Sequence, residues 1–142
     1  MEKKTKVVVL GLVFNDAGQI LLTRRHDPDI VDAHLLWDIP GGTNEFEERL
    51  EDTAKREVLE ETGAEVEVGE LMPRCVTKTW NHKNYLQHTL VFCYRCKLVS
   101  EHTAEKDAKI AAVKWENTQN LAGYTFLPTT HEFIKLAFPA KI

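Results

Sequence analysis

Three glutamates in the first half of the chain have a spacing that suits metal chemistry. Glu57, Glu60 and Glu61 are three and four residues apart, so on an α-helix their carboxylates share one face. Like charges placed in this way repel each other and weaken an isolated helix. A cation should therefore sit against this face, and such oxygen ligands suit Mg²⁺ or Mn²⁺. On spacing alone, an acidic face exposed to solvent is the simpler alternative.

The same segment carries the pattern of an amphipathic helix. Leu50, Ala54 and Val58 recur at helical period, which predicts that one side packs on a core while another presents carboxylates. Gly63 is expected to end the helix in the left-handed conformation.

The start of this helix is predicted from capping chemistry. Thr43 or Asn44 is expected to cap it. Glu47 or Glu48 would then lie in the first turn, where the helix dipole favours negative charge.

Residues 42–64 resemble the Nudix box, whose pattern is G-x5-E-x7-R-E-U-x-E-E-x-G-U, with U apolar. Ala64 fills the last apolar position with a smaller side chain than usual, a difference that touches packing and not chemistry. Residues 37–42 (WDIPGG) also resemble the approach to the box in many family members. This agreement favours metal binding over a solvated acidic face. The remaining fixed positions are filled by Gly42, Glu48, Arg56, Glu57, Val58, Glu60, Glu61 and Gly63.

The resemblance implies an enzyme that hydrolyses a nucleoside diphosphate linked to another group, with Mg²⁺ as cofactor and Mn²⁺ as the alternative. Divalent ions neutralise the charge of a pyrophosphate and lower the pKa of a bound water. Arg56 would pair with a box glutamate and hold it in place. Glu48 has two equal interpretations, an outer metal contact or a charge at the helix start. The implied metal ligands are Gly42, through its carbonyl, and Glu57, Glu60 and Glu61.

The general base is expected to be Glu60 or Glu61. In relatives it is either a box glutamate or a glutamate on a loop before a late strand that ends in Trp. Here Lys109 stands where that loop often has Glu. A helping carboxylate is expected from the same loop, which offers Glu101, Glu105 and Asp107.

The sequence gives few indications of which residues outside the box contact the substrate. Arg24, Lys78 or Lys83 would meet phosphate, and Trp80, Tyr85 and Trp115 are candidates to stack on a base. Each aromatic is equally well explained as a core or interface residue. The predicted substrate-binding set is Arg24, Trp80, Tyr85 and Trp115.

The substrate class follows by elimination. The sequence features typical of family members that act on ADP-ribose, dinucleoside polyphosphates or coenzyme A are missing or incomplete in this chain. This leaves a similarity to the short, mutator-type enzymes that convert a nucleoside triphosphate to the monophosphate and pyrophosphate. Nucleotide sugars and dinucleoside polyphosphates are the alternative substrates. Two other functions stay open, a nucleotide-sensing or binding module without turnover and an isoprenoid diphosphate isomerase, although the complete box argues against both.

Composition sets the broad class of protein. A length of 142 residues with 43% hydrophobic and 28% charged residues suits one soluble domain over residues 1–142. The net charge of −4 and the lack of a basic run argue against nucleic acid as a partner. No apolar run approaches the ~20 residues that span a membrane, so a cytoplasmic location is expected. The oligomeric state is open, with a homodimer as one option.

The elements that must position the box predict an α/β protein. Cys93 and Cys96 lie in a predicted strand, three residues apart and so on opposite faces, which argues against a metal or redox pair. Strands on both sides of the box helix and a late helix predict a mixed sheet flanked by helices. The Nudix resemblance implies the same architecture, an α/β/α sandwich. The main predicted strands are residues 6–14, 19–24, 65–68, 71–80, 85–98 and 110–115, the segment 99–109 is predicted as a polar loop, and a second helix is predicted over 129–137.

Overall fold

The computed structural model describes residues 1–103 and 107–141. Within these ranges the chain forms strands that surround one long parallel pair, with an α-helix on each side. The elements are β1 (Glu2–Phe14), β2 (Ile20–Arg25), β3 (Trp37–Asp38), β4 (Gly41–Thr43), α1 (Leu50–Thr62), β5 (Ala64–Leu71), β6 (Val76–Asn81), β7 (Tyr85–Glu101), β8 (Ile110–Glu116), a 3-10 helix (Thr118–Gly123) and α2 (Pro128–Ala137).

Strands β1 and β7 run parallel along their shared length, from the pair Glu2 and Tyr85 to the pair Phe14 and Lys97. The other pairings between these strands are antiparallel in the described residues: β5 and β6 pair with β7, β2 and β4 with β1, and β3 and β8 with β2. The predicted mixed sheet is therefore confirmed. The two central strands are rich in apolar residues because both of their faces are covered.

One face of β1 packs on α2. Leu10 and Leu12 lie in a buried cluster with Phe133 and Ile134 of that helix. The late helix was thus predicted in nearly its observed place, and Pro128 occupies its first turn, where a missing N–H is tolerated.

The other face of β1 packs on α1. Val9 and Val13 share a buried cluster with Ala54 and Val58, two members of the predicted apolar stripe. Gly11 lies beneath the helix, and a Cβ atom built there would be 2.7 Å from Val58 Cγ2. Helix and strand approach this closely because residue 11 has no side chain. Together the two clusters confirm the predicted α/β/α layering.

The predicted start of α1 is wrong. Thr43 belongs to β4, and the helix begins at Leu50 with Arg49 as its N-cap and no side-chain cap. Asn44 instead forms two side-chain hydrogen bonds, in which its amide donates to the Glu48 carbonyl at 2.9 Å and to Thr53 Oγ1 at 2.8 Å. These bonds fasten the segment that carries the chain from β4 to the helix.

The predicted end of α1 is confirmed. Gly63 has φ of 76° and donates its N–H to the Leu59 carbonyl. This is the left-handed C-terminal turn that glycine adopts without strain.

The first strand and β7 both extend beyond their predicted bounds. The first strand begins at Glu2 and not at residue 6, because β7 offers it backbone partners from Tyr85 onward. Strand β7 continues to Glu101 by pairing with Ala64, so residues 99–101 are strand and not loop. The predicted break near Pro73 is confirmed, since β5 ends at Leu71 and β6 begins at Val76.

The prediction that Cys93 and Cys96 lie on opposite faces of a strand is confirmed. Cys93 lies in the cluster on the α2 side and Cys96 in the cluster on the α1 side, and both are free thiols. Burial raises the pKa of Cys96 to about 12. In residues 1–103 and 107–141, no helix is both long and apolar enough to cross a bilayer.

Candidate active site

A cavity of about 610 Å³ brings the box glutamates together with residues from most of the sheet. Glu57, Glu60 and Glu61 line it from α1, and Gly41 and Gly42 line it from β4. The cavity volume is in the range of small-molecule sites. The carboxylates thus face a space that can hold a nucleotide.

The side chain of Glu57 lies against the backbone of Gly42. A Cβ atom built on Gly42 would be 2.3 Å from Glu57 Cδ, so the carboxyl group occupies space that only glycine leaves free. Burial raises the pKa of Glu57, and the hydrogen bond from Arg56 opposes that rise.

Arg56 connects the helix to the segment before it. Its Nε donates to Glu48 at 2.8 Å, its Nη1 to Glu57 at 2.8 Å, and its Nη2 to the Thr43 carbonyl at 3.1 Å. Nη1 also lies 3.3 Å from a carboxylate oxygen of Glu60. The bonds from Arg56 hold the pKa of Glu48 at about 2. Glu48 is therefore a partner of Arg56 in a position just before the helix, and not a charge in its first turn.

Glu61 is the most buried of the three carboxylates, with 8% of its surface exposed. Its Oε1 accepts the backbone N–H of Gly41 at 3.1 Å. Burial first, and the nearby charge of Asp38 second, raise the pKa of Glu61 to about 8. A cation beside it would favour the charged form.

The donor set fits a divalent cation. Glu57 and Glu61 are desolvated carboxylates with raised pKa values, and a positive ion would relieve that penalty. Oxygen donors from three carboxylates and one carbonyl suit Mg²⁺ or Mn²⁺. In the described part of the chain, no three His, Cys, Asp or Glu side chains lie in positions that could together hold a metal ion without moving. Arg56 holds Glu57 and Glu60, so ion binding would require their carboxylates to turn from it.

Comparison with known proteins decides the family. The model of the NUDIX domain matches residues 4–137. The chain belongs to the Nudix family.

Relatives of this Nudix protein agree with the match. A "MutT-like protein" of Streptomyces ambofaciens is 35% identical over 109 residues, which are 77% of this chain and 62% of that relative. This chain therefore spans less than two thirds of that relative's length. "Nucleoside triphosphatase NudI" of Escherichia coli O81 (strain ED1a) is 24% identical over 138 residues, covering 94% of this chain and 96% of the relative.

Solved structures show the same fold. The crystal structure of a MutT protein from Methanosarcina mazei Go1 has a TM-score of 0.69 at 24% identity, covering 98% of this chain and 96% of that one. The Nudix resemblance drawn from residues 42–64 is confirmed.

Two of the predicted substrate-binding residues line the cavity of this Nudix protein. Trp80 and Tyr85 border it from β6 and β7. The Tyr85 ring stacks on His82 with 4.3 Å between centroids, and Lys78 Nζ lies 4.7 Å from the centroid of the Trp80 ring. The β6–β7 hairpin thus offers an aromatic border to the cavity.

The other two predicted substrate-binding residues, Arg24 and Trp115, do not line the cavity. Arg24 donates to the Leu35 carbonyl at 3.0 Å and lies over the ring of Trp37. Trp115 packs against the cluster on the α1 side and donates its Nε1–H to Glu101 at 2.6 Å. Both side chains contact other parts of the protein.

Among the carboxylates expected before the late strand, the structure brings one to the cavity. Asp107 lines it, and its charge contributes to the raised pKa of Glu57. Glu101 is bound to Trp115, and Glu105 lies outside the described residues.

Several cavity residues were not predicted as part of the site, among them Lys6, Arg25, Asp38 and Thr130. Asp38 is buried, accepts the N–H of Ile39 at 2.8 Å and the hydroxyl of Thr130, and its pKa is raised by burial. Lys6 had a detectable signal, because strand alternation places it on the face of Val8 and Leu10. No sequence pattern indicates Asp38 and Thr130, since their side chains come into contact only when α2 packs on the sheet.

Proposed function

We propose that the protein is a divalent-metal-dependent pyrophosphohydrolase that converts a nucleoside triphosphate to its monophosphate and pyrophosphate. The main support is the placement of Glu57, Glu60 and Glu61, a complete Nudix box set, on the wall of a cavity large enough for a nucleotide. Relatives named for nucleoside triphosphatase activity favour the same substrate class.

The box carboxylates and the Gly42 carbonyl are proposed to hold the cation. When bound, a divalent ion would neutralise phosphate charge and make a water more acidic. Arg56 is fixed beside these ligands by its bonds to Glu48 and to the Thr43 carbonyl. The Glu57 carboxylate, which Arg56 also holds, would turn from it to bind the ion. Mg²⁺ is the proposed ion, with Mn²⁺ as the alternative.

Glu60 is the proposed general base. Its side chain is 55% exposed and faces the cavity, so it can take a proton from a water that enters with the substrate. Glu61 is buried, and its Oε1 is already engaged by the Gly41 N–H. From this contrast we propose proton transfer by Glu60 and a ligand role for Glu61, with Asp107, just before β8, as the supporting carboxylate.

The nucleobase is proposed to lie against the aromatic border formed by Trp80 and Tyr85. Both rings line the cavity, and stacking of aromatic surfaces is favourable for any base. The small-molecule nucleotide would then extend from this border toward the carboxylates.

A substrate screen tests the proposal. Ribo- and deoxyribonucleoside triphosphates, nucleotide sugars and dinucleoside polyphosphates would be incubated with Mg²⁺ or Mn²⁺. Phosphate would be measured with and without added inorganic pyrophosphatase. We expect nucleoside triphosphates to give phosphate only when pyrophosphatase is present, together with the nucleoside monophosphate. Direct release of phosphate, or turnover confined to sugar nucleotides or dinucleotides, would contradict the proposed substrate class.

A further inference from the structure

Three cationic side chains on separate elements line the same cavity as the box glutamates. They are Lys6 of β1, Arg25 at the end of β2 and Lys109 just before β8. We refer to these three residues as the cationic wall. The backbone N–H of His26 donates to the Lys109 carbonyl at 2.8 Å, so the segments that carry Arg25 and Lys109 are fixed side by side.

The members of the cationic wall act on one another electrostatically. Lys6 is half-buried, and its pKa is lowered by burial and then by the charges of Lys109 and Arg25. Within the described residues, neither Lys6 nor Lys109 forms an ion pair with a carboxylate. A titratable group in a cavity whose pKa is shifted by burial and by specific charges is a candidate for a functional site.

Arg25 is only partly satisfied by the protein. Its Nη2 lies 3.3 Å from Asp27, and its Nε is buried without a hydrogen-bond partner among the described residues. A buried donor without a partner is unfavourable, so additional negative charge beside this guanidinium would be stabilising.

The cationic wall and the carboxylates are within electrostatic reach of each other. The charge of Glu57 acts on Lys6, so an anion bound between them would meet the cationic wall on one side and the metal-binding groups on the other. We propose that Lys6, Arg25 and Lys109 bind phosphate oxygens of the substrate, so that the site favours a triphosphate chain over a single phosphate. The choice of a nucleotide as the anion rests on the proposed function; the cationic wall itself does not.

Binding measurements on Lys6 test this inference without turnover. A nucleoside triphosphate with a methylene group in place of the oxygen between its α- and β-phosphates, and the matching monophosphate, would be titrated calorimetrically in Mg²⁺ into the wild type, Lys6→Gln and Lys6→Arg. Lys3→Gln is the matched control, since Lys3 is exposed on the same strand but on the opposite face.

We expect Lys6→Gln to weaken triphosphate binding about tenfold, the scale of one lost charge-assisted hydrogen bond, with a smaller effect on the monophosphate. Lys6→Arg should restore the affinity, and Lys3→Gln should match the wild type. Equal weakening of both ligands, or unchanged triphosphate binding, would overturn the inference. Where Lys6→Gln does not fold, Lys109→Gln at the exposed position next to β8 provides the same comparison.

Inorganic tripolyphosphate separates this inference from the proposed function. Lys6-dependent binding of tripolyphosphate by a protein that hydrolyses no nucleoside triphosphate would support the cationic wall and reject the proposed function. Turnover of nucleoside triphosphates with the same KM in the wild type and Lys6→Gln would support the proposed function and reject the role of the cationic wall. If both hold, Lys6→Gln should raise KM and leave kcat nearly unchanged, as expected for uniform binding.

Discussion

The carboxyl group of Glu57 occupies the position that a side chain on residue 42 would take. A Cβ atom at Gly42 would lie 2.3 Å from Glu57 Cδ and 2.4 Å from its Oε2. Because the obstructing atoms are the end of a flexible side chain, Gly42→Ala should fold normally and displace the carboxylate. We expect metal affinity to fall about 10–100-fold, as when a positioning contact is lost, with little change in Tm. Titration with Mn²⁺ and thermal unfolding would measure the two effects.

The neighbouring glycine provides the control, because its surroundings differ. A Cβ atom at Gly41 would lie 2.3 Å from the Val9 carbonyl oxygen and 2.7 Å from the Leu10 Cα, which are backbone atoms that cannot turn aside. Gly41→Ala should therefore lower the free energy of unfolding by roughly 1–3 kcal/mol, the usual cost of overpacking. If Gly42→Ala proved as unstable as Gly41→Ala, the Glu57 side chain would not be moving aside to make room for the new Cβ atom.

Replacing Glu60 should remove catalysis and leave the fold intact. Its side chain is largely exposed, so Glu60→Gln has little packing to lose. We expect kcat to fall about 10²–10⁴-fold, the usual contribution of a general base, with near-normal binding of a methylene-bridged nucleoside triphosphate. Glu67→Gln, an exposed substitution on β5, should retain full activity. Wild-type turnover in a folded Glu60→Gln protein would rule out Glu60 as the base.

Glu61 should make the metal-free protein less stable as pH rises. Burial raises its folded-state pKa from 4.5 to about 8, so between these values the folded state binds a proton that the unfolded state has lost. The stability that the raised pKa of Glu61 contributes to the folded state is thus fully present below pH 4.5 and is lost as pH rises through about 8. In EDTA, the wild-type Tm should fall between about pH 5 and pH 8 more steeply than that of Glu61→Gln, and the difference should level off above about pH 8.

Added Mg²⁺ should reverse this trend. A metal binds the ionised carboxylate, so the rise in Tm on adding the ion should grow with pH in the wild type. It should be small at every pH in Glu61→Gln. Parallel Tm curves for the two proteins, with and without the ion, would show that Glu61 neither carries the buried proton nor binds the metal.

The contact between β1 and α1 can be tested with a pair of substitutions. Gly11→Ala would place a Cβ atom 2.7 Å from Val58 Cγ2 and should cost roughly 1–3 kcal/mol through overpacking. Val58→Ala should also destabilise, because it leaves a cavity in the buried cluster. The double variant should be more stable than the sum predicts, by about 0.5–3 kcal/mol in a denaturation cycle. Strict additivity would mean that the two side chains do not compete for space.

The sequence alone was enough to predict features that depend on neighbours along the chain. The glutamate spacing, the apolar stripe and Gly63 define a helix with one acidic and one apolar face because 3.6 residues per turn relate positions within one helix. The opposite directions of Cys93 and Cys96 follow in the same way from the period of a strand. The start of α1 was missed because Asn44 and Glu48 bind side chains of the helix itself, Thr53 and Arg56.

Which side chains share the cavity was decided only by tertiary structure. Lys6, Asp107 and Lys109 reach it, whereas Arg24 and Trp115, equally plausible from their chemistry, contact Leu35 and Glu101 instead. Sequence spacing fixes directions within one element, but these residues belong to different elements. Their positions depend on the parallel pairing of β1 with β7 and on the pairing of β2 with β8. Such long-range contacts have no local pattern, because partner strands are selected by burial of the whole sheet.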